Sequence, residues 1–345
     1  MRVLVLCGGA TSERIVSLAS GDAVATWAAA IGHDVLKYDP ENVGVTIPAN
    51  RKMAPSVIGV DAPPLQRAMQ FSPRVVRGLL DVLEREHIDV VFPILHGGYG
   101  EDGTLQSLLE WVGMPYAASG PRSCAIAMHK ASAKALMKQA GVPLAKGFEA
   151  DESELDQAAE IHDRIVKEFG YPAVVKPMSG GSTVGLTIVH SADDLPAALR
   201  LIKDQHDSAL IEQYFKGKEI AATVVGGVAF PLVEIRPKQG FYDYTNKYTS
   251  GKTEYVCPAE ISSDLTQAIR NCAADVFRVL GSRGFARVDF LVNESGFICL
   301  ELNSLPGMTA TSLVPKAALA HGWTAEQLIA NILAAAWSTS EIATA

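Results

Sequence analysis

Two short polar stretches near the end of the chain have the residue types of a metal site. Arg287 and Asp289 alternate with apolar residues, which places both side chains on one face of a predicted strand. Glu301 and Asn303 repeat this pattern on the next predicted strand, after a short turn at 293–296. Antiparallel pairing would bring these side chains together. Three oxygen ligands without Cys or His suit Mg²⁺ or Mn²⁺.

The alternative is a cross-strand ion pair on an exposed face of the sheet. The apolar residues between the polar ones predict one buried face, so the opposite face could be open to solvent. Asn303 favours the metal, because a neutral amide adds nothing to an ion pair.

A glycine-rich segment in the middle of the chain follows a lysine directly. The sequence SGGSTVG at 179–185 joins two predicted strands, and its glycines would let backbone N–H groups approach phosphate oxygens. Its spacing is not that of a Walker loop, and an ordinary hairpin turn is the alternative. Lys176 lies on the apolar strand before it, so its ammonium either reaches the surface or meets a buried anion. The strand taken by itself favours the surface.

The predicted metal strand leads straight into the sequence LPGMT at 305–309. Proline and glycine fix an unusual turn there, and its backbone N–H groups could face a developing oxyanion. As a pattern alone, this is more often an ordinary turn.

The elements that must position these residues follow from the apolar periods of the chain. Strand, helix and strand over 3–7, 17–31 and 33–38 predict a doubly wound unit. The segment 41–73 has no strong period and is predicted to be an extended insert. A helix over 125–139 carries Lys130. The remaining predicted elements are helices at 75–86 and 323–337, and strands at 90–95, 172–177, 185–189, 210–214, 220–225, 287–292 and 297–302.

This order predicts three domains. The first, at 1–120, is an α/β domain with a doubly wound parallel sheet. The second, at 121–215, is a small α+β domain that contains the glycine-rich loop. The third, at 216–345, is a larger α+β domain with an antiparallel sheet and the predicted metal and oxyanion residues.

Composition narrows the class of protein. The chain has 345 residues, of which 48% are hydrophobic and 20% charged, so it can bury several cores. A net charge of -8 argues against non-specific binding to nucleic acid. We expect no membrane span and no signal peptide, and therefore a cytoplasmic protein. The cysteines lack metal-ligand spacing and are predicted to be free thiols: Cys7, Cys124, Cys257, Cys272 and Cys299.

Over nearly its full length the chain resembles the D-alanine–D-alanine ligases of the ATP-grasp superfamily. The resemblance implies the ATP-grasp fold, and it rests on six segments in a fixed order. They are GGATSERIVSLASG at 8–21, HGGYGEDGTLQ at 96–106, KPMSGGSTVG at 176–185, FYDYTNKYTSG at 241–251, ARVDFL at 286–291 and ELNSLPGMTATSLVP at 301–315.

The resemblance implies ATP as a substrate and two Mg²⁺ (or Mn²⁺) ions as cofactors. Lys130, Lys176 and Lys247 would bind the phosphates, under a loop containing Ser182 and Thr183. The residues implied at the adenine, the ribose and the hinge between strands are Glu212, Gln213, Phe215 and Glu219. Those implied as metal ligands are Asp289, Glu301 and Asn303.

The same resemblance implies D-alanine as the other substrate, joined into D-alanyl-D-alanine through a D-alanyl phosphate for peptidoglycan synthesis. Glu13 would hold the ammonium of the first D-alanine, in a hydrogen-bonded set with Ser182 and Tyr248. His96 would lie near that substrate, with Glu101 and Asp102 ordering its loop. Arg287 and the N–H of Gly307 would stabilise the tetrahedral oxyanion. The carboxylate of the second D-alanine would be bound at Ser312 and Leu313.

The chain departs from the family pattern at Ile15, His129, Gly180 and Thr311, none of which is a catalytic group. Thr311 motivates one alternative, a related ligase with a different amino-acid or amine substrate, whereas Tyr248 favours D-alanine. A second alternative is a nucleotide-binding protein without catalysis, but the retained metal and oxyanion residues oppose it. A homodimer through the first domain would agree with the resemblance.

Overall fold

A computed structural model describes residues 1–11, 13–55, 72–179, 181, 185–238 and 252–343. These residues form three sheets, which together agree with the predicted fold class. In the described part of the chain, no helix is long and apolar enough to cross a membrane. The five cysteines are free thiols, of which Cys257 is half-buried and the other four are buried.

The first sheet is built around a fully buried central strand. Its order is β3-β2-β1-β4, with β1 parallel to β2 and β4, and β3 antiparallel to β2. Residues 3–6 of β1 are 0% exposed, as parallel strands covered by helices on both faces require. The elements are β1 (Arg2–Leu6), α1 (Arg14–Ala30), β2 (Asp34–Tyr38), β3 (Thr46–Pro48), α2 (Pro73–Arg85), β4 (Val90–Pro93) and α3 (Thr104–Trp111).

The predicted helix over 125–139 is wrong in one respect, because the structure has two helices there. They are α4 (Pro121–Met128) and α5 (Lys130–Gln139), separated at His129, whose backbone is extended at φ -93° and ψ 98°. The His129 Nδ1 accepts a hydrogen bond of 3.2 Å from the backbone N–H of Ser132. His129 is therefore the N-cap of a new helix, and Lys130 is its first residue.

The second sheet is antiparallel and small, with order β5-β8-β6-β7. Two helices that the sequence did not predict cover its apolar face, where Ile165 and Leu199 are buried with Val175 and Ile211. The elements are β5 (Gly147–Ala150), α6 (Ala158–Glu168), β6 (Ala173–Pro177), β7 (Thr187–Val189), α7 (Leu195–Lys203) and β8 (Ala209–Gln213).

The third sheet is also antiparallel, and its path is β12-β11-β9-β13-β14, with β10 paired to β9. One face packs on α5 and on a long helix, α8, through buried residues such as Met137 and Val276. The elements are β9 (Lys218–Val225), β10 (Val228–Ala229), β11 (Val233–Pro237), β12 (Thr253–Val256), α8 (Ser263–Val279), β13 (Phe285–Asn293), β14 (Gly296–Asn303), α9 (Leu313–Ala320) and α10 (Ala325–Ala343).

The end of the chain returns to the first sheet. Helix α10 packs against α1 and β4, and Ile329 is buried in the same core as β1. Leu305 and Met308, in the turn that follows β14, belong to that core as well. This packing brings the 305–309 turn next to α1. The predicted domain limits at 120 and 215 stay predictions.

Candidate functional site

A cavity of about 460 Å³ lies between the second and third sheets. Strands β6 and β8, the connection after β8, and strands β9, β11, β13 and β14 form its walls. Eight residues implied at the nucleotide and metal line it: Lys130, Lys176, Glu212, Gln213, Phe215, Glu219, Asp289 and Glu301. Residues far apart in the sequence are thus brought to one place.

Lys176 meets a buried anion, so the preference for the surface was wrong. Lys176 is only 8% exposed, and its Nζ lies 2.7 Å from Oε2 of Glu212. Lys134, which the sequence did not identify, reaches the other oxygen of Glu212 at 2.6 Å. Burial acts to raise the pKa of Glu212, but the two ammonium groups outweigh it and lower that pKa. Lys134 could have been identified from its spacing of four residues from Lys130, because this spacing places both lysines on one face of a helix.

Lys130 enters the cavity from the first turn of α5. Its Nζ lies 3.5 Å from the carbonyl oxygen of Met178, just before the glycine-rich segment. Burial lowers the pKa of Lys130, and the carboxylate of Glu301 opposes that effect. A cation at a helix N-terminus, where backbone N–H groups also point outward, suits a phosphate group.

Strands β13 and β14 pair as the sequence predicted. Arg287 lies opposite Asn303, and Asp289 lies opposite Glu301. Arg287 also makes a two-pronged ion pair along its own strand, with Nε and Nη2 at 2.8 and 2.7 Å from the oxygens of Asp289. These two side chains are 14% and 18% exposed, so the pair is not on an open surface.

The paired acids fit a divalent cation in their donor chemistry. Asp289 and Glu301 offer hard oxygens on the cavity wall, and the Asn303 amide oxygen accepts one hydrogen bond of 3.2 Å from Leu305 N. Within the described residues, no three His, Cys, Asp or Glu side chains are grouped to hold a metal. A cation here therefore needs Asn303 or ligand oxygens in addition to the two acids.

The turn after β14 and the start of α9 form one hydrogen-bonded unit. Ser312 is the N-cap of α9, and Leu313 is its first helical residue. The Ser312 Oγ accepts a hydrogen bond of 3.0 Å from the N–H of Thr309. A Cβ on Gly307 would lie 3.1 Å from the same Oγ, so a larger residue there would require Ser312 to shift by a few tenths of an ångström. A helix N-terminus at this point suits a carboxylate.

Glu13 and His96 lie at the other side of that turn. Glu13 is the N-cap of α1, and its Oε2 is 3.6 Å from the position of a Cβ on Gly97. His96 is 4% exposed, and its Nδ1 lies 3.0 Å from the carbonyl oxygen of Leu305 and 3.6 Å from Glu101. Burial acts to lower the pKa of His96, but hydrogen bonding to Glu101 and the charges of Glu101 and Glu13 raise it. Burial raises the pKa of Glu101.

Glu13 is followed by helix α1. The loop that leads into this helix is held by an ion pair that sequence analysis did not identify. Arg14 donates to both carboxylate oxygens of Asp39, at 3.0 and 2.5 Å, and Asp39 is 1% exposed. The N–H of Gly9 also donates to Asp39 at 3.0 Å. Gly8 has φ 87°, and a Cβ there would lie 2.6 Å from the same carboxylate. The loop before Glu13 is thus folded around Asp39.

Four predicted site residues lie outside the described residues: Ser182, Thr183, Lys247 and Tyr248. Arg287 and Asn303 lie opposite each other on β13 and β14, and the others fall into two groups. One lines the cavity between the sheets, and the other surrounds the turn at 305–309. Residues 301–305 connect them, since Glu301 is in the first group and Leu305 contacts His96 in the second.

Three sheets of this topology, with a cavity of charged residues between the second and the third, define a protein of the ATP-grasp fold. The family model "D-ala D-ala ligase N-terminus" matches residues 2–119, and "D-ala D-ala ligase C-terminus" matches residues 136–334. The chain belongs to the D-alanine–D-alanine ligase family.

Relatives and solved structures agree with that assignment. The D-alanine–D-alanine ligase of Syntrophotalea carbinolica is 37% identical over 97% of this chain and 96% of its own length. That of Geobacter sulfurreducens is 39% identical, over 97% and 94%. The Bacillus anthracis ligase complexed with ATP superposes with a TM-score of 0.74 and 26% identity, covering 99% of both chains. The VanG D-Ala:D-Ser ligase of Enterococcus faecalis gives 0.76 and 26%, covering 97% of this chain and 99% of that one.

Proposed function

We propose that this protein is an ATP-dependent ligase that joins two D-alanines into D-alanyl-D-alanine and releases ADP and phosphate. The observation that carries the proposal is the convergence of Lys130, Lys176, Asp289 and Glu301 in one cavity. Cations and hard oxygen ligands in one enclosed place are what transfer of a γ-phosphoryl group requires. The similarity to named D-alanine ligases over nearly the whole chain supplies the substrate.

The first half of the reaction makes the carboxylate of one D-alanine electrophilic. Lys130 and Lys176 bind the phosphates of ATP. In the absence of nucleotide, Lys176 forms an ion pair with Glu212. Gln213, Phe215 and Glu219 line the same cavity and would hold the adenine and ribose. Asp289, Glu301 and Asn303 would hold Mg²⁺ or Mn²⁺, which supplies charge neutralisation of the triphosphate. The product of this half is a D-alanyl phosphate.

The second half is attack by the amine of the other D-alanine. Glu13 holds the ammonium of the first substrate, while Ser312 and Leu313 bind the carboxylate of the second at the start of α9. Arg287 and the N–H of Gly307 stabilise the oxyanion of the tetrahedral intermediate. By the resemblance to the family, Ser182, Thr183, Lys247 and Tyr248 would complete an enclosure that protects the acyl phosphate from water.

Phosphate release with single amino acids tests the proposal. Purified protein with ATP and Mg²⁺ should release phosphate with D-alanine and form the dipeptide, but release little with L-alanine. No release with D-alanine, together with release when another amino acid is supplied, would exclude this activity.

One comparison favours a second candidate. The structural neighbour from Enterococcus faecalis is a D-Ala:D-Ser ligase, and Thr311 in this chain departs from the family pattern beside Ser312. Competition between D-alanine and D-serine as the second substrate, read from the ratio of the two dipeptides by mass spectrometry, separates the candidates. Excess D-alanyl-D-serine at equal concentrations would favour the second one.

We further propose that the enzyme works in the cytoplasm on peptidoglycan precursors and forms a homodimer through its first domain. D-alanine and ATP are then its partners, without nucleic acid or membrane. Light scattering of the purified protein tests the dimer, since a mass equal to one chain of 36.7 kDa would contradict it.

A further inference from the structure

The turn at 305–308 is held at both ends by groups from the first domain. The N–H of Met308 donates to Ser20 Oγ, on α1, at 3.2 Å. The carbonyl oxygen of Leu305 lies 3.0 Å from His96 Nδ1, in the loop after β4. The other ring nitrogen of His96 lies 3.3 Å from Ser20 Oγ. A closed chain of hydrogen bonds therefore spans Pro306 and Gly307.

The chemistry of these groups fixes the direction of two of the three hydrogen bonds. A carbonyl oxygen can only accept, so His96 Nδ1 donates to Leu305. Ser20 Oγ accepts from Met308, and it can donate its own proton to His96 Nε2 when the imidazole is neutral. A neutral imidazole in one tautomer thus satisfies every member of the chain.

The four residues of this hydrogen-bonded series are too deeply buried to act on a substrate directly. Ser20, Leu305 and Met308 are 0% exposed, and His96 is 4% exposed. Both ring nitrogens of His96 face protein groups. The residue between the two anchored ends is Gly307, whose N–H is the proposed oxyanion donor.

We propose that Ser20 and His96 are positioning residues that fix the backbone of Gly307 for the tetrahedral intermediate. This inference rests on the proposed function and assigns to His96 a task other than contact with the first D-alanine. An error of about 1 Å in the placement of a catalytic group reduces turnover by about 10²-fold. Loss of one anchor of the turn should cost part of that amount.

Ser20→Ala removes the anchor of Met308 without touching either substrate. We expect kcat to fall about tenfold, with the KM for ATP and for both D-alanines within twofold of wild type. Ser123→Ala is the matched control, because Ser123 is 2% exposed and its hydroxyl pairs with Ser282, away from the turn. An unchanged kcat in Ser20→Ala, or a raised KM for D-alanine at unchanged kcat, would overturn the proposal.

His96 bridges Leu305 and Ser20 by one hydrogen bond to each, and two substitutions of His96 separate these two hydrogen bonds. The amide of Asn can take the place of Nδ1 and keep the hydrogen bond to Leu305, whereas that of Gln can take the place of Nε2 and keep the one to Ser20. Ser20 still holds Met308 in both backgrounds, but only in His96→Gln is it also tied to residue 96. Adding Ser20→Ala should therefore lower kcat more in His96→Gln than in His96→Asn. Equal further losses in both backgrounds would show that His96 and Ser20 act independently, which the bridge excludes.

Amide hydrogen exchange tests the bridge without any assay of activity. The N–H of Met308 should be protected in the wild-type protein and exchange at least tenfold faster in Ser20→Ala. Rapid exchange of this amide in the folded wild-type protein would overturn the bridge, whether or not the variant folds. If instead wild type released no phosphate with D-alanine but Met308 were protected, the proposed function would fail while the bridge stood.

Discussion

Arg287 pairs with Asp289 in this structure, and the proposed reaction gives it a second partner, the oxyanion. It holds both oxygens of Asp289, yet it also lies opposite Asn303 at the strand end that leads into the 305–309 turn. A metal ion bound to Asp289 would compete for the same oxygens. In the proposed reaction, a cation held by Asp289 would weaken this ion pair and leave the guanidinium available to the oxyanion.

Arg287→Ala tests this role. We expect kcat to fall by about 10² or more, as for loss of one oxyanion donor, with the Kd of ATP changed only a few-fold. Phosphate release gives the first quantity, and titration with a fluorescent ATP analogue gives the second. Arg278→Ala, which removes an exposed guanidinium from α8, should leave both unchanged. Equal losses of turnover and ATP affinity in Arg287→Ala would count against the oxyanion role.

The buried ion pairs of Glu212 predict how the free energy of unfolding depends on pH. Its pKa is lowered in the folded protein, so its contribution to stability is complete above the unfolded value near 4.5 and is lost as the pH falls below that value. Glu212→Gln leaves Lys134 and Lys176 without a buried counter-charge. We expect it to lower the unfolding free energy at pH 7 by on the order of 3 kcal/mol.

Urea unfolding at pH 7 and pH 4 measures both effects of Glu212→Gln. The difference between variant and wild type should shrink at pH 4, because Glu212 is then partly protonated in the unfolded wild-type chain while it stays ionised in the folded protein. The exposed Glu168 on α6 offers a control, and Glu168→Gln should change neither midpoint measurably. A variant as stable as wild type at pH 7 would mean that the two lysines do not need the carboxylate.

At the scale of elements, the close approach of α1 to β1 depends on a glycine within the helix. A Cβ on Gly21 would lie 2.5 Å from the sulfur and 2.6 Å from the Cβ of Cys7. Alanine is normally favoured over glycine in a helix by about 1 kcal/mol. Here we expect the contact to dominate, so that Gly21→Ala lowers the unfolding free energy by about 1–3 kcal/mol in urea denaturation. A gain in stability would show that the helix can shift without cost.

The elements show which parts of the structure local sequence could predict. The pairing of Asp289 with Glu301 was predictable, because both strands alternate and a four-residue turn joins them. The partner of Lys176 was not, since Glu212 lies on a neighbouring strand 36 positions later and no local period connects them. The end of α4 at His129 was missed for a related reason. Ala-rich sequence on both sides favours a continuous helix, and only the His129 cap interrupts it.

On the scale of the whole molecule, the last helix packs in the core of the first sheet, far from it in sequence. Ile329, on α10, is 0% exposed within the core that contains β1. Ile329→Ala should lower the unfolding free energy by about 2–5 kcal/mol. Leu319→Ala on α9 is the control, since Leu319 is 72% exposed and its loss should cost under about 0.5 kcal/mol. Similar urea midpoints for the two variants would contradict this role for α10.

The short stretch of backbone from Glu301 to Gly307 limits where an enzyme of this kind can change to accept a different second substrate. Six peptide bonds separate Glu301, a proposed cation ligand, from Gly307, a proposed oxyanion donor. Between them, Leu305 is hydrogen-bonded to both Asn303 and His96. Any substitution that reshapes this path disturbs activation and condensation together. We therefore expect a change of acceptor to arise most readily at Thr311, an exposed residue outside this path, rather than at Ser312, which is hydrogen-bonded to the turn.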